Sequence, residues 1–431
     1  MLSIKFWDVL STQQKEDCLT RAVQTNSPRE VVLDIIQQVR TLGDAALFAL
    51  TEKYDGALLE QLQVPKKVIA NARIDKKAEA AIQQAIDILT YYYQAQKPQG
   101  NTISTAAGVS IETVYRPIQK VGIYVPGGQK TPLVSSVLMQ AIPSLVAGCP
   151  QRVLCTPPNA QGDINPHLLV AARLCGIETI YLIGGAQAIA AMAYGTESVM
   201  KVDKLFGPGN SYVTEAKTLV AHDPLGASID MPAGPSEVMV IADKNANPIF
   251  IAADLMAQAE HGVDSQAILI CEQEELALAV NEQLAKQIQQ LSRQHIIKQS
   301  FTLSSIIICP DLQEQVQIIN RYAPEHLIIQ RDDAQDWIDK INTAGTVFLG
   351  PWAAETMGDY ITGSNHVIPT NGFAKNYSSL STIDFLRRFS VQSIDPNGLN
   401  TLGPAAITLA QIEGLDAHAQ AVQLRLNFLE G

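Results

Sequence analysis

The stretch Val121-Gly-Ile-Tyr-Val-Pro-Gly-Gly128 is a short apolar run broken by proline and two glycines, and a helical pattern follows it to about Ala147. The cycle recurs at Arg152-Val-Leu-Cys-Thr-Pro-Pro158, ahead of a helix ending at Gly176, and at Thr179-Ile-Tyr-Leu-Ile-Gly-Gly-Ala-Gln187, ahead of a helix to Tyr194. Apolar strands of this length alternating with helices predict a parallel, doubly wound α/β sheet buried on both faces. A second series, with strands near 237–242, 266–271, 305–309, 326–330 and 346–349, predicts a second α/β unit, and the likeness of the two halves points to an old duplication.

Working outward, Ser27-Pro28-Arg29-Glu30 has the form of a capping box, and Val32, Ile35, Ile36 and Val39 follow at helical spacing, predicting a helix over 28–41. Gly43 ends it, Asp44 can cap the next helix, and a longer helix is expected to end at Tyr91-Tyr92-Tyr93. Val109, Ile111 and Thr113 alternate as in a strand. Beyond Ser379 the alternation ceases and the last fifty or so residues read as helices, the longest pattern running from Leu402 to Leu429.

The chain has 431 residues, 47% hydrophobic and 17% charged, with 43 acidic against 31 basic side chains and a net charge of −12. No Lys/Arg-rich run interrupts this, so neither nucleic acid nor an anionic membrane is an expected partner. Six cysteines (18, 149, 155, 175, 271 and 309) include no CxxC pair, and most sit in apolar contexts that fit buried thiols in a reducing compartment. Lys5 and Asp8 interrupt the N-terminus as a signal peptide would not allow, and the apolar stretch 132–150 carries Pro143 and Gln140, short of a membrane span. A cytoplasmic protein is expected.

The turns Gly184-Gly-Ala-Gln187 and Gly207-Pro-Gly-Asn210 are candidate anion sites, since glycines let backbone N–H groups approach a phosphate at a helix start. Neither completes the dinucleotide fingerprint GxGxxG, and ordinary strand-end turns would look the same. His167, His222 and His295 sit in polar contexts that favour solvation. Gln258 and His261, at i and i+3 before Gly262, share one helix face, as two ligands of one metal would. Asp359 follows the strand at 346–349, where C-terminal strand ends face the ligand crevice of such sheets, and His366 is seven residues on. Such a nitrogen and oxygen set suits zinc, although glutamine is an infrequent ligand. Pro324-Glu325-His326 precedes the strand at 326–330; Ala323, before proline, is expected to be extended, leaving Glu325 and His326 in a loop at the strand mouth. The pair suits acid and base work, or is a solvated helix-to-strand loop.

The strings Val121–Gly128, Gly184–Ala190, Phe206–Asn210, Ile229–Glu237, Ala257–His261, Tyr322–His326 and Gly363–His366 occur in the order and spacing of histidinol dehydrogenase, a family the whole chain resembles. The resemblance implies two Rossmann-like doubly wound units, with an incomplete dinucleotide fingerprint, plus small helical N- and C-terminal arms. These would be an arm over 1–24, a metal-bearing catalytic domain over 25–123 and 238–380, an NAD-binding domain over 124–237, and a helical tail over 381–431 reaching a partner subunit.

It also implies that L-histidinol is oxidised to L-histidine through bound histidinaldehyde, with two NAD+ reduced. Zinc would be held by Gln258, His261, Asp359 and His418, the last supplied across a homodimer. Substrate contacts fall on Ser236, His326, His366 and Glu413 as well as the zinc ligands, and NAD contacts on Tyr124, Gln187 and Asn210. In this reading His326 removes protons as hydride departs, and Glu325 activates the water that adds to the aldehyde. The segment Gln129-Lys130 and the stretch 159–165 depart from the family pattern on the cofactor side. Cys149 and Cys155 are read as packing residues. The residues alone leave two rivals, a zinc hydrolase with Glu325 as base, and a non-catalytic zinc-stabilised scaffold.

Overall fold

The computed structural model describes residues 1–21, 28–128, 131–232 and 234–430. The capping box at Ser27 and the Gln129-Lys130 departure lie outside the described residues. Two parallel sheets carry the fold. One has five strands in the order Ser228–Ile229, Lys204–Phe206, Lys120–Tyr124, Gln151–Thr156, Thr179–Leu182. The other has six, in the order Ser3–Phe6, Ser305–Ile308, Gln266–Cys271, Glu237–Ala242, His326–Gln330, Thr346–Leu349.

Leaving aside Ser3–Phe6, both wind alike. The first strand is central, the next two step outward on one side, and the last two on the other. The central strands 237–242 and 266–271 are buried at every position, which is why they read as unbroken apolar runs. No described helix is long and apolar enough to cross a membrane.

Several expectations shift. The helix Arg29–Leu42 buries Val32, Ile35, Ile36 and Val39. It packs with Asp44–Asp55 against the five-stranded sheet, alongside Val153, Tyr181 and Ile189. Lys76–Gln96 joins the same sheet's other face, so the 29–96 helices belong with 120–229 rather than with 238–380 as the sequence division had it. Hydrophobic faces dock where apolar area is available, and chain proximity does not decide it.

Asp44 does not cap its helix; its carboxylate accepts from Thr196 Oγ1 at 2.6 Å and from the Ser198 hydroxyl, tying the helix to the loop after Tyr194. The third long helix runs past Tyr93 to Gln96. The arm is not wholly helical, since Ser3–Phe6 adds an edge strand.

The tail, expected to be all helix, opens with the nine-residue strand Leu386–Ile394, antiparallel to Val109–Pro117, in a three-stranded sheet completed by Thr102–Ala106. Only then come the helices Pro396–Ile412 and Asp416–Glu430.

Candidate active site

A cleft of about 770 Å3 lies between the two sheets, and they present opposite ends to it. From the five-stranded sheet come carboxyl-end turns: Pro126, Gly207–Ser211, and Asp230-Met231 after the strand 228–229. Gly207 has φ +123°, and a Cβ there would meet the Tyr124 carbonyl oxygen at 2.1 Å, so only glycine fits. The loop is held from beneath by Lys217 and Asp230, a buried ion pair with side chains 4% and 1% exposed. Lys217 Nζ donates to the Gly207 carbonyl at 2.8 Å, and the Gly207 N–H donates to Asp230 Oδ2 at 2.9 Å.

From the six-stranded sheet come the amino ends of strands and the carboxyl ends of helices. Ser236 precedes strand 237–242 and His326 begins strand 326–330, while His261 lies just past the helix Pro248–Ala259. The expectation that this sheet's C-terminal strand ends face the crevice is therefore overturned. Asp359 reaches the cleft because the helix Glu355–Tyr360 brings the chain back toward the amino rim, where Asp359 meets His326.

Ala323 is left-handed (φ 53°, ψ 68°), not extended. It terminates the helix Leu312–Tyr322 by donating to the Ile319 carbonyl at 2.8 Å, a helix-ending geometry that still avoids the right-handed region forbidden before proline. Glu325 and His326 are buried at the strand start, not solvated in a loop.

The Glu237 backbone holds both. Its N–H donates to Glu325 Oε2 at 2.7 Å, and its carbonyl faces His326 Nδ1 at 3.1 Å. Assigning the imidazole proton to Nδ1 leaves Nε2 with a free lone pair. That atom is buried without a hydrogen-bond partner among the described residues, 3.6 Å from Asp359 Oδ1. His366 Nδ1 lies 3.1 Å from the Asp359 carbonyl.

Ligand atoms of His261, Glu355 and Asp359 all lie within 4.8 Å of one another. Gln258, fully buried, sets its amide against Glu355 and His326 Nδ1; assigning its nitrogen to the Glu355 side, where it donates to Oε1 at 2.7 Å and also lies 3.2 Å from His326 Nδ1, makes that ring atom an alternative acceptor to the Nδ1–H assignment. Burial pushes Glu325 and Glu355 each up to about 8 against the pull of His326. Burial lowers His326, but Glu355, Glu325 and Asp359 more than reverse this and carry it to about 10, so the Nε2 lone pair is available as a base only when a cation offsets those carboxylates. Buried carboxylates in excess, with imidazole and amide donors among them, fit a divalent cation such as zinc.

Ser236, His261, Glu325, His326, Asp359 and His366 thus line one cleft, with Gln258 behind them. Asn210 lines it too, but its Oδ1 is engaged as the N-cap of Ser211–His222, accepting from the Tyr212 and Val213 N–H groups. Tyr124 and Gln187 are buried outside the lining, the Tyr124 hydroxyl accepting from the Gly185 N–H at 3.0 Å. Glu413 and His418 are exposed on the tail and do not line this subunit's cleft. Sequence reasoning missed Glu355, although it stands one helical turn before Asp359 on the same face.

The family model for histidinol dehydrogenase matches residues 19–426. A curated histidinol dehydrogenase of Legionella pneumophila, strain Philadelphia 1, is 64% identical over 429 residues, covering 100% of both chains. One from Vibrio parahaemolyticus is 47% identical over 98% of each. The crystal structure of histidinol dehydrogenase from Elizabethkingia anophelis has a TM-score of 0.96 and 41% identity, covering 100% of this chain and 99% of that one. With sequence and backbone matched from end to end, the chain belongs to the histidinol dehydrogenase family.

Proposed function

We propose that this chain oxidises L-histidinol to L-histidine in histidine biosynthesis, through bound histidinaldehyde and with two NAD+ reduced. The observation that carries the reading is a buried acid–base pair, Glu325 and His326, packed against the His261, Glu355 and Asp359 cluster.

His326 Nε2, with its proton partner Nδ1 on the Glu237 carbonyl, takes the hydroxyl proton of the alcohol as its carbon gives up a hydride. Glu325 takes a proton from the water that adds to the aldehyde carbon. His326, having released its first proton to solvent, then takes the proton of the resulting diol as the second hydride leaves, completing the acid. Ser236 and His366 stand where they can orient the substrate, and burial of the pair keeps bulk water from the intermediate.

Gln258, His261 and Asp359, with His418 of the partner subunit, would hold zinc, and Glu355 backs the set. A zinc ion there supplies positive charge against the carboxylate field on His326 and an anchor for the substrate's imidazole and amine nitrogens. NAD+ accepts the hydrides, and the neutral turn at Gly207–Asn210 with the helix starts behind it suits its phosphates.

The homodimer reading is supported by the tail. It exposes Leu402, Leu409, Ile412, Leu415, Leu424, Phe428 and Leu429, an apolar face of the kind that marks an interface, next to Glu413 and His418. The six free, buried thiols fit a cytoplasmic setting.

Purified protein given L-histidinol and NAD+ should form L-histidine and NADH, stop on chelation and resume with zinc. Turnover without NAD+ would instead favour a hydrolase. Mixing His418→Ala with His326→Ala should restore up to about a quarter of wild-type activity by statistical subunit exchange if sites form across a two-fold. Verified heterodimers with no recovery would exclude the shared site.

A further inference from the structure

We infer that Arg21, carried by the N-terminal arm, is a positioning residue for the reaction: it clamps Glu237 and the Tyr322-Ala323 turn together, and so fixes Glu325 and His326 against each other. This rests on the dehydrogenase reading of that pair.

The guanidinium makes a two-pronged contact with the buried Glu237 carboxylate, Nε to Oε1 at 2.5 Å and NH2 to Oε2 at 2.9 Å. The same NH2 donates to the Tyr322 carbonyl at 2.7 Å, and the guanidinium carbon stacks 3.8 Å from the Tyr322 ring centre. Glu237 is also fixed by the Asn371 N–H, which donates to Oε1 at 2.9 Å. The arm itself is docked, the Thr20 carbonyl accepting from Gln266 Nε2 at 3.3 Å.

The geometry reaches the reacting groups through two routes. The Glu237 backbone binds Glu325 through its N–H and His326 through its carbonyl. On the other side, Tyr322 and Ala323 lead directly into Pro324-Glu325-His326, and Ala323 holds a positive φ that a non-glycine residue keeps only when its surroundings impose it. Arg21 bonds the carbonyl at that turn and the side chain across from it, so one planar fork spans both supports of the acid–base pair. A lysine, as a point charge, cannot hold both in one plane.

The test compares wild type with Arg21→Ala and Arg21→Lys, measuring kcat, KM for L-histidinol, bound zinc and hydrogen exchange. For Arg21→Ala the expected result is a ~10²-fold fall in kcat, with KM within ~3-fold and zinc content unchanged. Added guanidinium at ~50 mM should recover ~10-fold of that loss, because it can re-enter the fork, while methylammonium should not. Peptides spanning 234–242 and 322–330 should exchange faster, with the rest of the chain unchanged.

A folded Arg21→Ala protein with wild-type kcat and exchange overturns the inference, as does a kcat loss matched by lost zinc. If Arg21→Ala does not fold, Arg21→Lys must show the same kcat-against-KM split at ~10-fold with faster exchange at the same two segments, and wild-type kcat and exchange in that variant overturn the inference. If wild type itself makes no NADH from L-histidinol, the dehydrogenase reading falls. Unchanged exchange at the two segments would then separately refute the clamp.

Discussion

The two rims of the cleft are built from the same winding but face it with opposite ends. The five-stranded sheet offers carboxyl strand ends, so the chain arrives as glycine turns followed by helix N-termini, with polar backbone donors and the positive ends of helix dipoles. The six-stranded sheet offers amino strand ends, so the chain arrives from helix C-termini at Ala259 and Tyr322, where the dipole favours a cation. One parallel unit thus presents backbone donors suited to an anionic ligand, and the other side chains suited to a cation, as the proposed function requires. Fold topology alone does not say which end works; the docking of the two sheets does.

The comparison breaks most visibly in kinetics. His326→Asn should lower kcat by about 10²–10⁴-fold, because proton removal is lost. Asn210→Ala should mainly raise KM for NAD+ and change kcat by less than about 10-fold, because a helix cap is worth about 1 kcal/mol. Steady-state rates on both variants check this, and equal losses in kcat would erase the distinction between rims.

A second contrast lies in what each rim uses buried charge for. On the carboxyl rim, the Lys217–Asp230 pair is a strut for Gly207. Lys217→Met should lower unfolding stability by about 3–5 kcal/mol by stranding Asp230, and Lys217→Met with Asp230→Leu should recover much of it. Denaturant titration measures both, and a neutral single variant would refute the strut.

The smallest effect is one of pH. Asp55, at the end of the helix Asp44–Asp55, has a buried carboxyl oxygen without a partner among the described residues. Burial lifts its pKa to about 6. Because the folded value lies above the unfolded one, its contribution favours the folded state below about pH 4 and is lost as pH rises through 6. Asp55→Asn should remove that slope and, as the side chain is only part-buried, stabilise the protein by about 1 kcal/mol at pH 7. A wild-type slope retained in the variant would assign it elsewhere.

Runs buried on both faces, such as 238–242, were legible as strands because nothing polar interrupts them. Leu386–Ile394 was not, because it is exposed along most of its length and its arginines and serines hide the alternation. The placement of Gln258, His261, Asp359 and Glu325-His326 in one region followed from the family resemblance. Their rim did not, since strand direction relative to the cleft is set by packing between distant segments. Arg21 and Glu237 lie 216 residues apart, a pairing no local pattern carries. Glu413 and His418 face solvent in this chain.

In the proposed reaction a single cleft carries the substrate through both oxidations. The most direct measurement is the ratio of NADH formed to L-histidinol consumed, before and after chelation. The account predicts two NADH per histidinol, none after metal removal, and two again with zinc; one NADH with free aldehyde released, or turnover undiminished by chelation, would contradict it.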